Sequence, residues 1–205
     1  MAAVVGVALM AGGGSARAGD GLFGSREVRS VRMAPFTKWL GMLKRFEQHA
    51  NAVDTPCTIS RFRRCYFQSW SKFITDIGDN DRRQQLAAVN TRMNASPYIT
   101  DPRNWGLKDY WETPGEFFRK DGDCEDYAIV KYMTLKALGF DPASMRIVVV
   151  QDINLKVPHA VLAVELEGES WILDNQARSV VKATSVHHYR PIYSINENAW
   201  WLHKL

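Results

Sequence analysis

Apolar residues recur at every third or fourth position through the first half of the chain, the spacing of one helix face. The pattern begins after Pro35 and includes Phe36, Trp39, Leu40, Leu43 and Phe46. It returns from Tyr66 to Ile77, ending at Gly78, and again from the polar run 79–81 to Met93. The spacing therefore predicts three helices in this half.

Local end signals predict two more helices. Residues 95–112 are rich in Pro, Asn and Trp and predict a loop. Thr113 and Glu116 then have the spacing of a capping box around Pro114, which predicts the start of a short helix. A longer helix is expected from Asp123 to Leu138, because Gly139 follows it.

Beyond Pro142 the pattern changes to short apolar and β-branched runs. The predicted strands are Arg146–Gln151, Ala160–Leu166, Ser170–Leu173 and Arg190–Asn196. Because the helices come first and the strands follow, the sequence predicts an α+β fold, with a helical N-terminal half packed on an antiparallel sheet.

The composition excludes several classes of protein. The chain has 205 residues, 46% of them hydrophobic, with nine Phe, seven Trp and seven Tyr, which excludes a disordered chain. The net charge of +4 is spread along the sequence and does not favour nucleic-acid binding. This length suits one globular domain with a substantial core.

The first residues have the pattern of a secretory signal. Residues 2–14 carry no charge, and the small residues Ala16 and Ala18 flank Arg17, as a signal peptidase requires. We expect a signal peptide over 1–18 and an exposed lead-in over 19–33. One domain over 34–205 follows, with a helical half over 34–112 and the catalytic helix and sheet over 113–205. The signal predicts export to the periplasm, and because no later stretch is apolar enough to span a membrane, the mature protein is expected to be soluble.

The chain contains three cysteines, Cys57, Cys65 and Cys124. In an oxidising compartment the first two are close enough in sequence to form a disulfide, which would leave Cys124 free. Reduced, buried thiols are an equally good interpretation of Cys57 and Cys65.

The segment Gly122–Ala128 concentrates reactive groups at the start of a predicted helix. Cys124 lies in the first turn, where the helix dipole and free backbone N–H groups favour a thiolate. Three carboxylates, Asp123, Glu125 and Asp126, oppose that effect. They are either hard oxygen ligands for Ca²⁺ or simply the capping residues of the helix.

A cysteine nucleophile needs a base and a group that orients the base. His159 opens one apolar strand, and Asp174 ends the next. A hairpin around Gly168 with an even-numbered loop would make them diagonal neighbours on one face, whereas an odd loop would separate them. The other histidines, His49, His187, His188 and His203, are predicted to lie at the surface.

These motifs resemble the bacterial transglutaminase-like cysteine proteinases. The likeness is carried by Gly122–Ala128, His159–Leu162 and Leu173–Asn175, with flanking segments Asp109–Pro114 and Arg190–Ser194. The resemblance implies a papain-like or transglutaminase-like core. It also implies that Cys124 is the nucleophile, His159 the base and Asp174 the residue that orients the base.

The same resemblance implies a biological setting. One branch of this family consists of periplasmic, calcium-dependent proteases that cut a large surface adhesin, release cells from a biofilm and are restrained by an inner-membrane receptor for cyclic di-GMP. It implies that Asp123, Glu125 and Asp126 bind Ca²⁺. Two alternatives stay open: a transglutaminase-type acyltransferase with the same triad, and a non-catalytic binding module.

Overall fold

The computed structural model describes residues 21–50 and 66–205. The predicted signal peptide, the Cys57 and Cys65 pair and the side chain of His49 lie outside the described residues. Within this part of the chain, no helix is long and apolar enough to cross a membrane.

The helices begin and end close to the positions that the sequence predicts. Asp81 accepts a hydrogen bond from the Gln84 amide at the start of the third helix, and Thr113 and Glu116 form the predicted capping box of the fifth. The predicted loop over 95–112 is interrupted by one helical turn, α4. The α-helices of the described residues are α1 (Thr37–Ala50), α2 (Tyr66–Asp76), α3 (Arg82–Asn94), α4 (Asp101–Asn104), α5 (Pro114–Lys120) and α6 (Cys124–Ala137).

The seven strands form one antiparallel sheet. Its spatial order is β1-β7-β6-β2-β3-β4-β5. The strands are β1 (Arg26–Ser30), β2 (Met145–Asp152), β3 (Val157–Leu166), β4 (Glu169–Leu173), β5 (Val181–Lys182), β6 (Tyr189–Ile195) and β7 (Trp200–Lys204). The mixed helix and antiparallel sheet architecture confirms the predicted α+β class.

Most of the described part of the lead-in over 19–33 is exposed or half-buried, but Leu22 and Ser25 are buried. Leu22 is buried in a short 3₁₀ turn, and β1 pairs with β7 at one edge of the sheet. The sequence of β1 is charged and does not alternate, which suits an edge strand, since charged side chains there discourage pairing with another chain. The short strands β5 and β7 also went unpredicted, and β1 places a strand before the helices.

His203 was predicted to lie at the surface, and this is wrong. Its ring is buried between two serines, with Nδ1 2.7 Å from Ser25 Oγ and Nε2 2.9 Å from Ser194 Oγ. Glu27 lies beside the ring and is bound to Arg146 at 2.7 Å. These contacts tie the N-terminal segment to β6, β7 and β2.

The main core lies between the helices and one face of the sheet, with α6 at its centre. Every residue from 126 to 135 of α6 is buried, and Tyr132 meets the edge of Trp39 at 5.6 Å between ring centroids. Trp111 also packs against Trp39, as a core aromatic residue. A smaller apolar cluster, which includes Leu22 and Tyr189, covers the other face of the sheet.

Candidate active site

Cys124 is the first residue of α6, and its side chain reaches the sheet. Its thiol donates a hydrogen bond to Glu125 Oε2 at 3.0 Å. The main-chain N–H of Ala160 on β3 donates to the sulfur. Cys124 therefore lies against the strand residue that directly follows His159, although α6 and β3 are distant in sequence.

A two-residue hairpin brings His159 and Asp174 together. In the β3–β4 pairing Leu166 lies opposite Glu169, so the loop has an even number of residues. Extending this register makes His159 and Asp174 diagonal neighbours on one face, the arrangement that an even loop predicts. Their side chains meet with His159 Nε2 2.9 Å from Asp174 Oδ1.

The surroundings of Asp174 favour its ionised form. The Tyr189 hydroxyl donates a hydrogen bond to Oδ2 at 2.6 Å, and the main-chain N–H of Gln176 donates to Oδ1 at 2.9 Å. Burial alone would raise the pKa of Asp174, but these bonds and the one from His159 hold it below its ordinary value of 3.8. Nε2 of His159 faces Asp174, and the side-chain amide nitrogen of Gln176 lies 3.5 Å from the other ring nitrogen, Nδ1.

The thiol of Cys124 lies in an environment that keeps it protonated. Burial, then the charge of Glu125 and its hydrogen bond, raise the pKa of this thiol far above its ordinary value. Asp123 adds to the effect, and the Ala160 N–H opposes it. The conflict between thiolate and carboxylates that the sequence predicts is therefore present.

The carboxylates around Cys124 form a larger group than the sequence indicates. Oxygens of Asp101, Asp109 and Glu125 lie within 4.8 Å of one another, as do ligand atoms of Asp123, Cys124 and Glu125. Asp123 Oδ2 accepts the Asp101 amide at 3.3 Å, while Oδ1 is buried without a described hydrogen-bond partner. Asp109 is also paired with Lys38 at the surface.

Asp126, the third predicted calcium ligand, lies deeper than the other two. Its carboxylate accepts the Glu112 amide at 2.7 Å and the Asp123 amide at 3.0 Å. It therefore braces the loop before α6, in the capping arrangement that the sequence left open as an alternative. Carboxylate oxygens of Asp126, Asp101 and Glu112 lie within 4.8 Å of one another, and all three residues are buried.

The pKa values of several of these carboxyl groups are raised. Burial, with the neighbouring negative charges, raises the pKa of Asp123 to about 8 and that of Asp101 to about 6. Burial also raises the pKa of Glu112 to about 8, and Glu112 Oε2 has no described partner. These carboxyl groups lie close together, have raised pKa values, and leave some oxygens without a hydrogen-bond partner. Such a group suits a hard divalent cation such as Ca²⁺.

Comparison with known proteins identifies the family. The sequence model of the family described as bacterial transglutaminase-like cysteine proteinase, BTLCP, matches residues 57–203, well over half of the chain. The chain belongs to this family. It is a cysteine peptidase with the transglutaminase-like fold.

Solved structures of Legionella pneumophila LapG are similar to the chain. The calcium-bound form is 32% identical with a TM-score of 0.64, and the match covers 78% of this chain and 87% of that one. The EGTA-treated form gives the same identity and TM-score, with 80% and 86% coverage. No curated protein sequence matches the chain significantly.

Sequence analysis missed several residues of the site. Tyr189 reaches Asp174 from a segment with no motif of its own, whereas the main-chain N–H of Gln176 bonds to Asp174 locally, two residues further along the chain. Asp101 and Asp109 were placed in a loop. The signal that could have found them is the density of Asp and Glu over 101–112, directly before the cysteine motif.

Proposed function

We propose that the protein is a calcium-dependent cysteine endopeptidase whose triad is Cys124, His159 and Asp174. The Cys124 sulfur attacks the carbonyl carbon of a peptide bond, and His159 takes the thiol proton and later gives it to the leaving amine. Asp174 holds the imidazole in the orientation that presents Nδ1. The Cys124 N–H, which has no intrahelical acceptor at this position, is directed at the developing oxyanion.

The observation that carries this proposal is the contact of 2.9 Å between His159 and Asp174. The Ala160 N–H that bonds to the Cys124 sulfur also supports the proposal, because Ala160 directly follows His159 in β3. A buried imidazole with one nitrogen held by a carboxylate is the arrangement that a cysteine nucleophile requires.

The calcium part of the proposal rests on the group of carboxylates. Asp123 and Glu125 would hold Ca²⁺ together with Asp101 and Asp109, while Asp126 braces the loop from behind. Bound Ca²⁺ would supply positive charge that offsets the carboxylates beside the thiol. Glu125 would then be engaged as a ligand, which frees the Cys124 thiol from its hydrogen bond to that carboxylate.

The biological setting is proposed from the sequence and from the family resemblance. The uncharged run over 2–14, with Ala16 and Ala18 after it, supports export to the periplasm. The resemblance supports a large surface adhesin as the protein substrate, cut at a pair of small residues such as Ala-Ala. It also supports restraint by an inner-membrane receptor for cyclic di-GMP. N-terminal sequencing of the protein recovered from periplasm tests export, and a chain starting at Gly19 is expected.

A single experiment separates hydrolysis from acyl transfer. The protein is incubated in excess Ca²⁺ with peptides that contain Ala-Ala, or Gln, in the presence of a fluorescent primary amine. The proposal predicts clipped peptide and a free new carboxylate, with no incorporated amine. Cys124→Ala is expected to abolish cleavage, while Asp76→Asn, on the exposed surface of α2, keeps it.

Three results would contradict the proposal. Incorporation of the amine into the Gln peptide would make the protein an acyltransferase with the same triad. Cleavage that persists in Cys124→Ala would show that this cysteine is not the nucleophile. A thiol-directed inhibitor that fails to label Cys124 would favour the non-catalytic binding module.

A further inference from the structure

Tyr98 is an exposed aromatic residue beside the loop that carries the nucleophile. It lies in the segment between α3 and α4 and forms an isolated parallel bridge with Gly122, two residues before Cys124. The Ile99 N–H donates a hydrogen bond to the Gly122 carbonyl oxygen at 2.9 Å, which fixes this segment against the cysteine loop. The Tyr98 residue nevertheless remains 55% exposed.

The ring of Tyr98 is supported by the core. It lies nearly parallel to the ring of Tyr127, with an interplanar angle of 12° and 6.4 Å between the ring centroids, within the range of stacked aromatic pairs. Tyr127 is buried and meets Phe117 edge to face at 5.0 Å, and its hydroxyl donates a hydrogen bond to the Ser96 carbonyl oxygen. Phe117, Tyr127 and Tyr98 thus form an aromatic column that runs from the core to the surface.

This aromatic column lies next to Cys124. Tyr127 is three residues after Cys124 on α6, and side chains three positions apart are neighbours on a helix surface. Because the Tyr98 ring lies over Tyr127, it borders the first turn of α6, where the sulfur is. Burial raises the pKa of the Tyr98 hydroxyl, and the negative charge of an ionised Cys124 raises it further, in agreement with this short separation.

A fixed aromatic ring at this place suits the binding of a substrate side chain. A peptide whose carbonyl carbon reaches the Cys124 sulfur carries its neighbouring side chains past the first turn of α6. An exposed apolar residue is ordinary by itself. This ring, however, is already held by Tyr127, so a substrate side chain can pack on it with little further loss of conformational entropy.

We propose that Tyr98 is a specificity-determining residue: its exposed ring forms one wall of a subsite for an apolar substrate side chain close to the scissile bond. The inference rests on the proposed function, since it takes Cys124 to be the nucleophile. It adds a substrate class to that function, namely peptides with an apolar residue at one defined position near the cleaved bond.

Profiling of cleavage sites tests the subsite without a known substrate. A library of random synthetic peptides is incubated with the protein in excess Ca²⁺, and the products are sequenced by mass spectrometry. The wild type is expected to prefer Leu, Ile, Val or Phe to Gly about tenfold at one position near the cleaved bond. Tyr98→Ala should lose this preference at that position alone, whereas Tyr98→Phe keeps the ring and should retain it. Val31→Ala, which truncates a 65% exposed residue directly after β1, is the matched control and should keep the wild-type profile.

Kinetics with single peptides separate a substrate contact from a structural role. For a peptide with the preferred apolar residue, Tyr98→Ala should lower kcat/KM about tenfold, mainly through a higher KM. For the same peptide with Gly at that position, the variant and the wild type should agree within about twofold. A residue that only supports the fold would lower both rates equally.

The contrary outcomes are distinct. A wild type with no apolar preference, or an unchanged profile in Tyr98→Ala, overturns the inference, and so does an equal loss for the apolar and Gly peptides. A Tyr98→Phe profile that matches Tyr98→Ala would show that the hydroxyl makes the contact, which also contradicts it. Cleavage of the library by Cys124→Ala would instead contradict the proposed function, whatever the profile of the Tyr98 variants.

Discussion

His159 and Asp174 are diagonal neighbours across the β3–β4 hairpin, and their side chains meet at 2.9 Å. The loop between the strands has two residues, Glu167 and Gly168, both with positive φ (57° and 76°). This is the conformation of the tight hairpin turn that matches the strand twist. The turn fixes the register, and the register places imidazole and carboxylate on one face of the sheet.

The hydroxyl of Tyr189 is expected to contribute to catalysis through Asp174. Tyr189→Phe removes the donor to Asp174 Oδ2, a hydrogen bond to a charged group that contributes about 1.5–3 kcal/mol. The variant should lower kcat/KM by about ten- to a hundredfold and move the acidic limb of the pH profile upward, because the carboxylate is less stabilised. Asp174→Asn sets the lower bound of activity. A wild-type profile in Tyr189→Phe would show that this hydroxyl is dispensable.

The local parts of the fold were predictable from sequence, and the long-range parts were not. Helices α1 and α2 have strong apolar periodicity, α3 and α5 have caps at Asp81 and Thr113, and β3 and β4 form a hairpin around Gly168, so local chemistry specifies them. Strand β1 near the start of the chain pairs with β7 near its end, and the charged sequence of β1 does not indicate which strand it pairs with.

The same distinction applies to the site. Cys124, His159 and Asp174 lie in recognisable motifs, so sequence alone was sufficient to select them as candidates. Tyr189 and Asp101 reach the site through the tertiary fold.

Calcium is expected to stabilise the protein through the carboxylates before α6. At a concentration a hundred times Kd, a ligand that binds only the native state adds about 2.7 kcal/mol, or about 5–10 °C in Tm for a chain of this size. Asp101→Asn and Asp109→Asn should each reduce this shift, measured by calorimetry with and without EGTA. Mg²⁺ should substitute poorly, because it requires a tighter octahedron.

The control for the calcium prediction is Asp76→Asn. Asp76 is an exposed aspartate of α2 that pairs with Lys72, far from the acidic group in sequence. It should retain the full calcium shift. An equal Tm in Ca²⁺ and EGTA for the wild-type protein would contradict calcium binding and would leave Asp123 and Asp126 as helix-capping residues only.

The buried His203 is expected to make the fold sensitive to mild acid. Burial lowers the pKa of His203 below its ordinary value of 6.5, with Arg146 adding to the effect and Glu27 opposing it. Below about pH 6.5 this histidine is protonated in the unfolded chain but less so in the folded protein. The free energy of unfolding therefore falls as the pH falls. The loss attributable to His203 between pH 7 and 5 has an upper limit of about 2 kcal/mol, set by a pKa near 6.5 in the unfolded chain.

Urea unfolding at several pH values checks this prediction. His203→Gln is expected to be less stable at pH 7, because the contacts with Ser25 and Ser194 are altered, and its stability should depend less on pH in this range. His187→Gln, an exposed histidine, is the matched control. Parallel pH curves for the wild type and His203→Gln would contradict the assignment.

The pairing of Cys124 with His159 is tested most directly by the pH dependence of Cys124 alkylation. Iodoacetamide is added in excess Ca²⁺, and the modified peptide is identified by mass spectrometry, which separates Cys124 from Cys57 and Cys65. An unassisted thiol loses about tenfold in reactivity for each pH unit below its pKa near 8.5. Rapid alkylation that persists below pH 7 is expected in the wild type, whereas His159→Ala should follow the unassisted curve. Superimposable curves for the two proteins would contradict this pairing.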